Sequence, residues 1–203
     1  MGSTSASERR QPTHSKDGLA VLAFASRERW DQWLAAEHAN SGGLWLKIAK
    51  KDSGIASVDY PEALETALCW GGIDGQRDRF DERYFLTRFT PRTRSSRWSQ
   101  RNCEIAERLI ASGTMEPAGR AQVEFAKADG RWDAAYPSQA KAAIPADFQL
   151  ALEANPAALG FFETLTGTRR YAFLYRLHHV TAAKARAARI AEYVAVLARG
   201  ETL

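Results

Sequence analysis

Cysteine is scarce in this chain. Cys69 and Cys103 are the only two in 203 residues, and they stand in unrelated contexts. Two thiols cannot form the dense disulfide framework of a small secreted domain, and a chain of this length can bury a core without one. Long apolar runs are also missing, and none approaches the roughly 20 residues of a membrane span. The opening MGSTSASERRQPTHSKDG has no apolar core of the signal-peptide kind. The expectation is a cytoplasmic protein with free thiols. Catalytic signatures are absent too: there is no phosphate-loop glycine pattern, nucleophile elbow or glycine-rich dinucleotide fingerprint. His178 and His179 are adjacent, so on a helix they diverge by about 100° and do not form a His-x-x-x-His pair. His14 and His38 have no partner in sequence, and neither a metal nor a cofactor is expected. Lysine is the minor base, at seven against 21 arginines, within a net charge of +4. A GC-rich coding bias gives the same skew as selection for planar, five-donor guanidinium groups. Acid is missing altogether from Arg83 to Arg101, RYFLTRFTPRTRSSRWSQR, which holds six arginines among four aromatic residues. So dense a set of like charges requires solvation, distant acids or an anionic ligand.

What is present reads as α+β. Residues 1–17 are small, polar and charged, and read as a disordered tail. Residues 18–203 then form a single α+β domain, with a sheet-containing half (18–115) and a helical half (116–203). Leu19–Phe24 predicts a strand. Ser26 caps a helix with Trp30, Trp33 and Leu34 at i, i+3, i+4. Leu44, Leu46 and Ile48 alternate with Trp45, Lys47 and Ala49 along a second strand. Asp59-Tyr60-Pro61-Glu62 has the spacing of a capping box and opens a helix that Gly71-Gly72 ends. Residues 73–91 predict two or three strands with a turn near Asp78–Glu82. Helices then follow from about Gln100 to Ala111, Pro117 to Ala128, after Pro145 with a break at Asn155-Pro156, Arg169 to His178, and Thr181 to Arg199. The order βαβαββ implies a small mixed or antiparallel sheet packed by helices.

Short motifs in this order resemble a known family. Leu44-Trp45-Leu46-Lys47-Ile48-Ala49-Lys50-Lys51, Tyr60-Pro61-Glu62-Ala63-Leu64 and Ala67-Leu68-Cys69-Trp70-Gly71 come first. Ile73-Asp74-Gly75-Gln76, Tyr84 through Arg92, and Trp98-Ser99 with Asn102 continue the set, followed by Met115–Gly119 and Asp129–Asp133. Together they are similar to the YdeI/OmpD-associated, or bacteriocin-protection, family over roughly residues 20–199. Two stretches depart from it. Gly72 stands where the family tends to carry an aromatic residue, and in Val180–Ile190 only Arg186, Arg189 and Ile190 match. The resemblance implies a stress or bacteriocin-protection role and brings no catalytic mechanism.

The candidate site combines both readings. Asp74 opens a strand and can pair with Arg88 or Arg92 across the sheet. Pro91 holds Thr90 extended. Ser99 can cap the helix that carries Asn102, leaving backbone N–H groups beside Arg92, Arg97 and Trp98 as an anion site. Lys47 can point to the same place, unless it only guards a strand edge. The competing reading is an Asp–Arg structural pair with a capping serine and a core tryptophan. Cys69 reads as a core residue. Cys103 sits in a first helical turn beside Arg101, where a thiolate could be stabilised, with no general base nearby in sequence. A second acid-free basic stretch, from Arg169 to Arg189, reads either as a solvated helix face or as a phosphate contact. The leading expectation is non-catalytic binding of an anionic small molecule or an acidic protein surface. One alternative is an enzyme on a small phosphorylated or carboxylated substrate, with Asp74 as base. The other is an RNA- or DNA-binding protein, which exposed Tyr84, Phe85 or Trp98 would favour and burial of all three would count against.

Overall fold

A computed structural model describes residues 14–203. The chain divides into two compact units. One runs to Arg97 and resumes over Asn102–Asp133; the other comprises Trp98–Arg101 and Ala134–Leu203.

The first unit is built on a five-stranded mixed sheet in the order β1-β2-β3-β5-β4. β1 (His14–Lys16) and β2 (Leu19–Leu22) form an antiparallel pair. Asp17 and Gly18 between them have φ values of 51° and 75°, left-handed backbone that Asp and Gly tolerate better than most residues. Residues 14–17 are therefore structured rather than part of a disordered tail. Their side chains are polar, which hid a strand that cross-strand pairing supports. The remainder of that expected tail lies outside the described residues. α1 (Arg27–Glu37) joins β2 to the parallel strand β3 (Leu44–Ala49), as a parallel crossover requires. β4 (Gly72–Arg79) and β5 (Tyr84–Pro91) are antiparallel, two strands joined by one turn. In that turn Asp81 Oδ1 accepts the N–H groups of Arg83 and Tyr84, each at 2.8 Å.

Alternation sorts the sheet's faces. Leu44, Leu46 and Ile48 pair with Phe89, Thr87 and Phe85, and their face packs on Trp30 and Leu34 of α1 and on Ala63 and Ala67 of α2. Trp45, Lys47, Leu86 and Arg88 take the opposite face. α2 (Tyr60–Cys69) starts with the predicted capping box. Glu62 N–H donates to Asp59 Oδ1 at 2.8 Å, and Asp59 N–H donates to Glu62 Oε2 at 3.1 Å. α3 (Gln100–Ala111) buries Cys103, Ile105, Ala106 and Leu109. α4 (Pro117–Ala128) approaches α2 closely at Gly119, where a Cβ would lie 2.2 Å from the Cys69 carbonyl oxygen. That approach keeps α4 with the sheet, so the first unit continues to Asp133 rather than ending near residue 115.

The second unit holds α5 (Ala146–Glu153), α6 (Pro156–Thr164), α7 (Gly167–His178) and α8 (Ala183–Ala198). Its core is aromatic: Phe148, Phe162, Phe173 and Tyr193 meet edge to face, the arrangement ring quadrupoles favour. Asn155 Oδ1 accepts the Ala158 N–H at 3.1 Å and Pro156 fills the first turn, which separates α5 from α6. Among the described residues no helix is long and apolar enough to cross a membrane.

Candidate functional site

Strand register decides where each candidate side chain points. Asp74 on β4 lies opposite Phe89, on the face that meets α2. There the Tyr60 hydroxyl donates to Asp74 Oδ2 at 2.7 Å. Arg88 lies opposite Trp45 on the other face, so it cannot be the partner of Asp74. A bulge follows Asp74 and re-aims Arg77, whose guanidinium sits 3.8 Å from the centre of the Phe85 ring. Among the described residues no arginine comes within 4.0 Å of the Asp74 carboxylate. Lys47 shares the Arg88 face and places its Nζ over two rings, 4.3 Å from the centre of Phe80 and 4.1 Å from that of Tyr84.

Arg92 turns inward and is only 6% exposed. Its backbone N–H donates to Gly71 O at 3.0 Å, its Nε to Gly72 O at 3.2 Å and its Nη1 to Arg97 O at 3.1 Å. This guanidinium therefore closes the loop 92–97 onto the start of β4. Arg131 holds the same loop from outside, donating from Nη1 to Ser96 O at 2.9 Å. A third tie lies within the loop, where Thr93 N–H donates to Ser96 Oγ at 2.9 Å. Arg94 and Arg97 are exposed on this pinned loop. Among the described residues neither has a carboxylate within 4.0 Å. The acid bonded to Arg131 is Asp129, held below the usual carboxylate range by that hydrogen bond, with a smaller contribution from the charge of Arg94.

Asn102 is buried in the first turn of α3. Trp98 and Ser99 belong to the second unit. Trp98 is 2% exposed, and its carbonyl accepts the Tyr136 N–H at 3.0 Å. Ser99 forms an isolated parallel bridge to Tyr136, and Gln100 N–H donates to Tyr136 O at 2.9 Å. A buried Trp98 cannot offer its ring for base stacking, and Tyr84 and Phe85 are half-buried. Two of the six cations in the second basic stretch are ion-paired, while Arg169, Arg176 and Lys184 are exposed. Arg186 is forked onto Asp147 and also donates to Leu177 O at 2.7 Å, while Arg189 pairs with Glu192 at 3.3 Å.

Both cysteines are free and buried, and burial pushes each thiol up to about 11. For Cys103 this outweighs the nearby positive charge of Arg92, so the activated thiolate suggested by its helix position does not arise. His178 and His179 meet edge-on, and among the described residues no group of three or more His, Cys, Asp or Glu side chains is placed to hold a metal ion.

One feature escaped sequence reasoning. Trp30, Trp33 and Leu34 of α1, His38 at its C-cap, Trp70 at the end of α2 and Phe89 of β5 line a small apolar cleft of about 30 Å³. The i, i+3 spacing of Trp30 and Trp33 signalled a buried helix face. Nothing local shows that Trp70, forty residues after Trp30, closes the same space.

Comparison with known proteins divides the chain as well. Residues 141–200 match the family described as Bacteriocin-protection, YdeI or OmpD-Associated. Residues 22–122 match a domain of unknown function (DUF8412). The family resemblance is thus supported on the helical segment, whereas most of the motifs that first carried it fall within the other match. No curated protein and no solved structure matches the chain at a significant level.

Proposed function

With its C-terminal helices matching a bacteriocin-protection family, we propose that the protein is a non-catalytic cytoplasmic binding protein. Its loop 92–97 engages anionic groups, phosphate or carboxylate, on a small molecule or an acidic protein surface. One observation carries this reading: Arg94 and Arg97 are exposed and without a carboxylate within 4.0 Å among the described residues, on a loop that Arg92 and Arg131 tie down through backbone carbonyls. A pinned loop loses little further backbone freedom when it binds, so its arginines act as a preorganised anion contact. A protective role, taken from the family's name, would consist of sequestering such a partner. In this account Lys47, Asp74, Arg88 and Asn102 belong to the scaffold of the first unit and Trp98 and Ser99 to the second, and none of them is a ligand contact. Arg92 holds the loop rather than the ligand.

Heparin-affinity chromatography tests it. The Arg94→Ala/Arg97→Ala protein should elute at clearly lower salt than a charge-matched Lys51→Ala/Arg79→Ala control. Coincident elution of the two would leave only a net-charge effect and sink the assignment. The enzymatic alternative rests on Asp74, which accepts a hydrogen bond from Tyr60 and has no arginine within 4.0 Å among the described residues. It predicts a turnover with a phosphorylated or carboxylated substrate that Asp74→Asn abolishes.

A further inference from the structure

A groove of about 690 Å³ runs between α5 and α8 of the second unit, with room for several side chains of another molecule. Ala151 and Ala154 line it from α5 and its C-cap, the buried Ile190 and half-buried Val194 from α8. Its polar side chains are already engaged. Asp147 and Arg186 are bonded to each other at 2.9 Å, and Asn155 Oδ1 accepts the Ala158 N–H that caps α6. What the groove offers a partner is apolar contact.

Two features of its rim fit each other. On α8, Ala183, Ala187, Ala191 and Ala195 recur every four residues along the groove, and all four are exposed. Such a row spans about 18 Å and lets another helix approach closely, because nothing projects beyond the Cβ atoms. On α5, Leu150 is 66% exposed. It lies one turn after Asp147 and one turn before Ala154, both of which line the groove, so it stands on the groove's shoulder. A surface with both an empty row and a protruding leucine is self-complementary, as a twofold contact between identical chains requires. The charges agree. If two copies of α8 run antiparallel about residue 189, Lys184 of one comes beside residue 194 of the other, about 3 Å along the axis from Glu192. Both Lys184 and Glu192 are exposed, and the Arg189–Glu192 pair is a surface contact that a second cation can join. We propose that this groove is a dimer interface. The α8 helix of a second copy lies antiparallel along it, and Leu150 of each copy covers the alanine row of the other.

Sedimentation equilibrium on the full chain tests it. The mass should be near the 22.5 kDa of one chain at about 5 µM and approach twice that at about 500 µM, with Kd on the order of 50 µM for so small a contact. Ala187→Glu puts a charge into the row at an exposed helical position and should raise Kd at least about tenfold, with the circular dichroism spectrum unchanged. Leu150→Gln should raise it about fivefold. Phe125→Ser removes an exposed apolar side chain of the first unit and should leave the dimer intact, as should Arg94→Ala/Arg97→Ala. A wild-type protein that stays monomeric at about 500 µM overturns the proposal and leaves the groove to a helix of another protein. A dimer that survives both Ala187→Glu and Leu150→Gln, or that Phe125→Ser weakens equally, overturns it as well.

Discussion

Arg92 and Arg94 stand two residues apart and do opposite things. Arg92 is buried with its donors on carbonyls, so Arg92→Ala should strand the Gly72 and Arg97 oxygens and cost about 1–3 kcal/mol in urea denaturation. Arg94 is exposed, and Arg94→Ala should change stability by no more than about 0.5 kcal/mol. The sequence shows six arginines without acid, but guanidinium groups look alike in a string. The register and turn that send one inward and another outward come from pairing with β3 and from the Gly71 and Gly72 carbonyls. Cysteine behaves in the same context-dependent way. With their thiols pushed up to about 11 by burial, Cys69 and Cys103 bind their protons more tightly folded than unfolded. That contribution to stability is complete below the unfolded thiol value and fades as pH rises towards 11. Both should resist alkylation near pH 8 in the native protein and react once it is unfolded. Rapid native labelling of Cys103 would restore the activated-thiol reading.

At the scale of elements, local signals were legible where capping and periodicity decide the outcome. The Asp59/Glu62 box, α3, α4 and the Asn155-Pro156 break were all readable, because each is set by residues within one turn. Asp59→Ala should cost about 1 kcal/mol. β1 was not legible, since three polar residues carry no alternation and acquire strand geometry only against β2. In the second unit, the Arg186 fork fastens α8 to Asp147 in the first turn of α5 and to the Leu177 carbonyl of α7. Its hydrogen bond holds the Asp147 carboxyl below the usual range. The stabilisation is therefore present above the unfolded carboxylate value and lost as pH falls through the lowered folded one. Asp147 is part-exposed, so solvent screens the pair and the effect is modest. Asp147→Asn should flatten the acid limb of the stability–pH curve, and Arg186→Lys should not rescue the two-pronged contact.

For the whole molecule, the fold class followed from the order of periodic segments, while the site did not. Asp74 and Arg88 are fourteen residues apart and on opposite sheet faces, a fact fixed by the β4–β5 bulge and register. The tryptophan cleft depends on three elements meeting. The central claim, an anion contact at loop 92–97, is tested most directly by calorimetric titration of inorganic tripolyphosphate at about 50 and 200 mM salt. The account predicts binding to the wild-type protein that weakens with salt, and loss of that binding in Arg94→Ala/Arg97→Ala with the melting temperature unchanged. Equal affinity of the two proteins, or no heat of binding to the wild type at the lower salt, would contradict it.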